Sequence, residues 1–160
     1  MSDARQRPPS LMATASYLAA KTALYGSRRM EATLAEHDLL LGHHAIMCAL
    51  DDFGPMSQQE LADSLDFDKS HLVSRIDHLE QHGLLTRTRD RLDRRRHQVS
   101  LTKAGSALID QLRPVAREHQ QELLSALSAA EQETLLDMLR RVLAANDAVQ
   151  RAGSCPGGRP

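Results

Sequence analysis

The 160-residue chain has no tryptophan, and its aromatic residues together make up only 2% of it. That excludes a core of stacked rings, so Leu, Ala, Val and Met on mostly helical segments must fill the interior. Cysteine is scarce too. Cys48 and Cys155 lie far apart, which rules out a disulfide framework or a metal-type cysteine pair and fits a reducing compartment. No apolar run is long enough to cross a bilayer, and the opening MSDARQRPPS has no apolar stretch behind a basic start. A cytoplasmic protein without a membrane partner is expected. Net charge is only −1 with neutral histidines, so any grip on a polyanion must come from a local patch. A Gly-flanked nucleophile turn, a phosphate loop and His-Glu-x-x-His are all missing, and no enzyme is expected.

One such patch is present. Leu85 to Leu101 holds six arginines (Arg87, Arg89, Arg91, Arg94, Arg95, Arg96) against Asp90 and Asp93. Leu85–Arg89 and His97–Leu101 read as two short strands around a charged tip, directly after a helix that Gly83 stops. A tip serving only solubility has little need of so many guanidinium groups. Asp93 beside them is placed to orient one and so reduce the rotamer freedom lost on binding.

Elsewhere the pattern is helical. Residues 1–10 and 152–160 (the latter rich in Gly and Pro) read as disordered tails around a single domain over 11–151. Leu11, Ala15, Leu18, Thr22 and Tyr25 mark one long amphipathic helix from Ser10 to about Ala35. A short apolar helix over His43 to Leu50 follows, ended by a turn from Asp51 to Pro55. Ser57 with Glu60 forms a capping box for the next helix, and Asp68 caps the one after it, whose Leu72, Ile76 and Leu79 share one side. Thr102 caps a helix carrying Leu108, Leu112, Val115, Leu123 and Leu127. A second capping box, Ser128 with Glu131, opens the last helix, with Leu135, Leu139 and Val142 on its apolar face.

Two short helices followed by a basic hairpin over 43–101 match the winged helix-turn-helix plan, in which one helix enters the major groove and the hairpin reaches the backbone or minor groove. The expected fold class is mainly α, with a two-stranded β-wing and long N- and C-terminal helices. At 100° per residue, Ser70, His71, Ser74 and His78 project away from the Leu72/Ile76/Leu79 stripe, and Arg75 and Asp77 sit on its flanks. Double-stranded DNA is therefore the expected partner, with Ser70, His71, Ser74, Arg75, His78, Arg91, Arg94, Arg95 and Arg96 as its contacts.

From about Leu39 to Thr102, the run SQQELADSLDFDKSHLVSRIDHLEQHGLL, the Asp93-x-Arg95 pair and the closing VSLT (Val99 to Thr102) resemble the MarR family of bacterial transcription regulators. The resemblance implies a homodimer in which the N-terminal segment 11–35 and the C-terminal segment 102–151, its last helix Ala129 to Arg151 above all, form the interface. It also implies a pseudo-palindromic operator, Ser70, His71 and Ser74 in the major groove, and Arg95 in the minor groove. Relatives form a small-ligand pocket near the start of the second helix. Here it implies Tyr17, His43, His44 and Met47 as walls for a phenolic or other aromatic effector of unknown identity, and a ligand-responsive repressor. One departure stands out: many relatives carry Arg at the position of Ser74, whereas here it falls one residue later, at Arg75, about 100° around the helix. Arg75 is thus expected to touch phosphate.

Two alternatives remain open: a winged-helix module that docks an acidic protein surface, and a zinc-responsive regulator of the same fold. His37, His43, His44 and His119 are the imidazoles weighed for zinc. No cysteine or tight i, i+4 histidine pair joins those four, so neither metal nor cofactor is assigned. Cys48, within IMCAL, reads as a buried small hydrophobe.

Overall fold

The computed structural model describes residues 6–89 and 97–153. Its elements are α1 (Pro9–Met12), α2 (Ala15–Ala35), α3 (Leu41–Phe53), β1 (Met56–Ser57), α4 (Gln58–Leu65), α5 (Lys69–Gln81), β2 (Leu85–Arg89), β3 (His97–Leu101), α6 (Lys103–Leu123) and α7 (Ala129–Gly153). The single N-terminal helix expected from the periodicity is two helices. Thr14 adopts an extended backbone, and its hydroxyl donates to the Leu11 carbonyl at 2.7 Å, ending α1 after one turn. Pro9 opens α1 because its fixed φ suits the first helical position and its missing N–H would have no partner there. Pro9 and Ser10 are therefore helical, though the sequence reading placed them in the tail. The tips of both assigned tails, residues 1–5 and 154–160, lie outside the described residues.

α3 also runs beyond the expected His43–Leu50. It takes in Asp51, Asp52 and Phe53 and stops at Gly54, which has φ 78°. Both capping boxes form: the Glu60 N–H donates to Ser57 Oγ at 3.2 Å, and the Ser57 N–H to Glu60 Oε2 at 2.7 Å. Ser128 and Glu131 repeat the exchange at the start of α7. At the start of α5, Asp68 accepts the Ser70 N–H at 2.9 Å. At its end, Gly83 has φ 69° and the Leu84 N–H donates to the Leu79 carbonyl at 2.9 Å.

β2 and β3 are the two strands read from the sequence, paired antiparallel with Leu85 opposite Leu101 and Arg89 opposite His97. A third strand was not foreseen. β1 pairs with β3, Met56 opposite Val99 and Ser57 opposite Gln98, so the sheet order is β1-β3-β2. Below the sheet, α3 packs against α4, α5 and β3. Leu34, Ile46, Met47, Leu61, Leu72, Ile76, Leu79, Val99 and Leu112 are fully buried in this core.

Thr102 ties the sheet to α6. Its hydroxyl donates to the Gly83 carbonyl at 2.6 Å and accepts the Gly105 N–H at 3.1 Å. The approach is close: a Cβ on Gly105 would lie 2.2 Å from the Leu84 carbonyl oxygen. α6 ends at Leu123, which leaves Leu127 in the following turn. The chain divides into two compact units, Met1–Gln120 and Gln121–Pro160. The second carries α7, on which Met138, Leu139, Val142, Leu143 and Val149 are exposed.

Candidate DNA-reading face and adjoining cleft

α5 sorts its residues by the helical period. Leu72, Ile76 and Leu79 are at most 1% exposed, while Ser70, His71 and Ser74 are open to solvent on the other side. The N-terminal turn of the helix is pre-set by Asp68, which also accepts a hydrogen bond from the Ser70 hydroxyl. These bonds hold the Asp68 carboxyl below its ordinary pKa and keep the cap charged. Two serine hydroxyls and one imidazole on the solvent-facing side of the helix give adaptable donors and acceptors, suited to base edges.

The wing root is fixed differently from what composition suggested. Arg87 is one of the six arginines of the patch, yet its guanidinium pairs with both Asp77 and Glu80 of α5, and its backbone N–H donates to Glu80 Oε1 at 3.1 Å. It is a brace between β2 and α5. The patch is thereby less free than a charge count implies. Arg91, Asp93, Arg94, Arg95 and Arg96 lie outside the described residues.

Beside the reading face is a cleft of about 490 Å³, lined by Ala35, Asp38, Leu39, Leu40, His43, His71, Ser74, Arg75 and His78. The Arg75 guanidinium lies 4.7 Å from the Phe67 ring centroid and packs so closely on Gly42 that a Cβ there would sit 2.4 Å from its Nε. Held this way, Arg75 lines the cleft.

The four residues offered as pocket walls are not brought together. His43 lines the cleft just described. His44 lines a second one of about 250 Å³ with Cys48, Asp51, Asp52 and Arg113. Tyr17 borders a third of about 170 Å³ near Lys21 and Tyr25. Met47 is fully buried in the core, because the helical period turns it inward beside Ile46. Cys48 is half-buried rather than wholly enclosed, with Sγ 3.5 Å from His44 Nε2. Burial, then Asp52 and Asp51, push its thiol pKa up.

Histidines stack at the edge of the first cleft. His43 and His78 lie 4.4 Å apart between ring centroids, and His78 and His82 lie 4.1 Å apart. His43 Nδ1 accepts the Leu40 N–H at 3.0 Å, and burial, reinforced by His78, Arg75 and His82, lowers its pKa to about 4. It is a neutral, Nε2-protonated ring at pH 7. His78, read from the sequence as a DNA contact, donates from Nε2 to the Asp38 carbonyl at 2.8 Å, and its side chain is 29% exposed.

Residues 39–97 match the model of the MarR family. The chain is 34% identical to the HTH-type transcriptional repressor NicR of Pseudomonas putida over 67% of its own length and 66% of NicR. It is 30% identical to the transcriptional regulator HosA of Escherichia coli, over 66% of this chain and 78% of HosA. The chain belongs to the MarR family. Among solved structures it is similar to Bordetella bronchiseptica BpsR, described in terms of regulation of its DNA binding by 6-hydroxynicotinic acid. The TM-score is 0.73 and the identity 25%, covering 81% of this chain and 93% of BpsR.

The curated relatives named above are transcriptional regulators, and the chain spans 66% of NicR and 78% of HosA. No helix among the described residues is long and apolar enough to cross a membrane. Sequence reasoning missed Asp38 and His82. The His78/His82 spacing of four was a visible signal, because i, i+4 puts two imidazoles on one helix face; Asp38 joins them only through the fold.

Proposed function

We propose that this chain acts in the cytoplasm as a homodimeric repressor, binding a pseudo-palindromic operator and releasing it when an aromatic acid or phenol occupies the cleft beside α5. The observation that carries the reading is shared construction: Ser74 and His71, on the exposed face of α5, also line the cleft. A ligand seated there touches the element that reads DNA. Arg75 offers a cation for a carboxylate or phenolate, and the neighbouring imidazoles offer flat faces. Leu11, Met12, Leu18, Leu24 and Tyr25 on the N-terminal helices, and the apolar side chains of α7, are exposed in the single chain, as surfaces that a second copy would cover must be. Release needs a ligand that favours the DNA-incompetent arrangement, since equal affinity for both shifts nothing.

The test is selection of bound sequences from random duplexes, followed by titration with benzoic, hydroxynicotinic and phenolic compounds. Half-sites about 10 base pairs apart and release by at least one such acid are expected. Binding that shows no sequence preference over competitor DNA refutes the reading and favours a protein-docking module.

A further inference from the structure

We propose that Asp38, His78 and His82 form a binding site for a divalent transition ion of the zinc, nickel or cobalt kind, at the junction of the α2–α3 turn and the C-terminal end of α5. One carboxylate and two imidazoles are the donor set such ions take. Their ligand atoms lie within 4.8 Å of one another. Asp38 Oδ2 is 3.2 Å from His82 Nε2 and 3.9 Å from His78 Nε2. With bonds of about 2.0–2.1 Å, the edge of a tetrahedron around zinc is roughly 3.3–3.4 Å, so these separations bracket the required one.

The surroundings favour an ion over chance proximity. His82 donates from Nδ1 to the His78 carbonyl at 2.8 Å, which leaves Nε2 of the neutral ring with a lone pair aimed at the Asp38 carboxylate. Two acceptors facing each other at 3.2 Å need a cation between them or a proton on the ring. An imidazole whose far nitrogen donates to a backbone carbonyl is also the usual outer support of a histidine ligand. Asp38 is held in place by its backbone: φ is 56°, a left-handed conformation that Asp tolerates, and its carbonyl already engages His78 Nε2. On binding, the His78 ring passes through solvent exchange to the tautomer protonated at Nδ1, and Nε2, now carrying the lone pair, leaves the Asp38 carbonyl for the ion. Three protein ligands leave a fourth position for water.

The ion pins the end of the reading helix to the turn that leads out of α2. This consequence for DNA rests on the function proposed above, whereas the site itself does not.

The full chain is titrated with Co²⁺, and the visible absorption band of the tetrahedral ion is followed and then displaced with Zn²⁺. One ion per chain is expected, with affinity lowered about 10-fold or more in Asp38→Asn and in His82→Gln. Both replacements keep the local backbone conformation and hydrogen bonds available, and circular dichroism checks their folding. His44→Gln retains the band. No band and no displaceable ion overturns the site in favour of a protonated His82 paired with Asp38. So does a band that survives in Asp38→Asn and His82→Gln but is lost in His44→Gln. Operator affinity compared in Zn²⁺ and in chelator is read separately: a difference of about 5-fold or more is expected, and none, with the cobalt band intact, removes the link to DNA alone.

Discussion

Replacing Arg87 with Met keeps most of the stem and removes the guanidinium that joins β2 to α5. The arginine side chain is 21% exposed, against 47% for Asp77 and 37% for Glu80. Fully exposed pairs contribute at most about 1 kcal/mol, while breaking a buried pair costs roughly 3–5 kcal/mol. Two contacts at this intermediate exposure put the loss at about 1–2 kcal/mol. In urea, where m is on the order of 2 kcal/mol/M, the midpoint should fall by roughly 0.5–1 M with m unchanged. The same variant separates a structural arginine from one that grips DNA. Each phosphate contact adds about 0.9 to the slope of log K against log salt, so Arg87→Met should leave that slope where it was. A slope that drops by about one for each Arg87 removed, with the urea midpoint unmoved, would refute the brace.

Gly105→Ala pits helix propensity against packing. Ala gains up to about 1 kcal/mol in a helix interior, but a methyl 2.2 Å from the Leu84 carbonyl forces backbone to move, and a net loss of roughly 1–2 kcal/mol is expected in thermal unfolding; a raised Tm would contradict it. His43 has a folded pKa of about 4, below its unfolded 6.5. Its contribution is therefore fully present above 6.5 and lost as pH falls toward 4, with a slope of up to ~1.4 kcal/mol per pH unit. Urea midpoints at pH 7, 5.5 and 4.5 should fall less steeply in His43→Gln, and parallel curves count against burial of a neutral ring. Converting Arg94, Arg95 and Arg96 together to Ala should abolish operator occupancy in a mobility shift while leaving Tm within a degree or two, and intact occupancy defeats the wing's role.

Where a pattern is local, the sequence showed it. Leu85–Arg89 and His97–Leu101 flank a short charged tip and appear as β2 and β3; Leu72, Ile76 and Leu79 recur with helical spacing and are buried. Ser57 with Glu60 and Ser128 with Glu131 need only a separation of three. What escaped depends on partners distant in the chain. β1 is two residues long, too short for any periodicity, and exists because β3 offers Val99 and Gln98 an open edge to pair. Arg87 looked like part of a DNA grip until Asp77 and Glu80 were seen beside it. Tyr17, His43, His44 and Met47 were grouped by analogy, and the turns of α2 and α3 sent them to four different surroundings. Asp38 reaches His78 and His82 across forty residues, through a left-handed turn that composition does not reveal.

Ser57 belongs to two structures at once, as a rung of the sheet opposite Gln98 and as the cap of α4. The hairpin and the supporting helix are thus spliced through one residue with no slack between them. A sideways load on the finger is carried straight into α4 as torque, instead of being absorbed at a loose hinge.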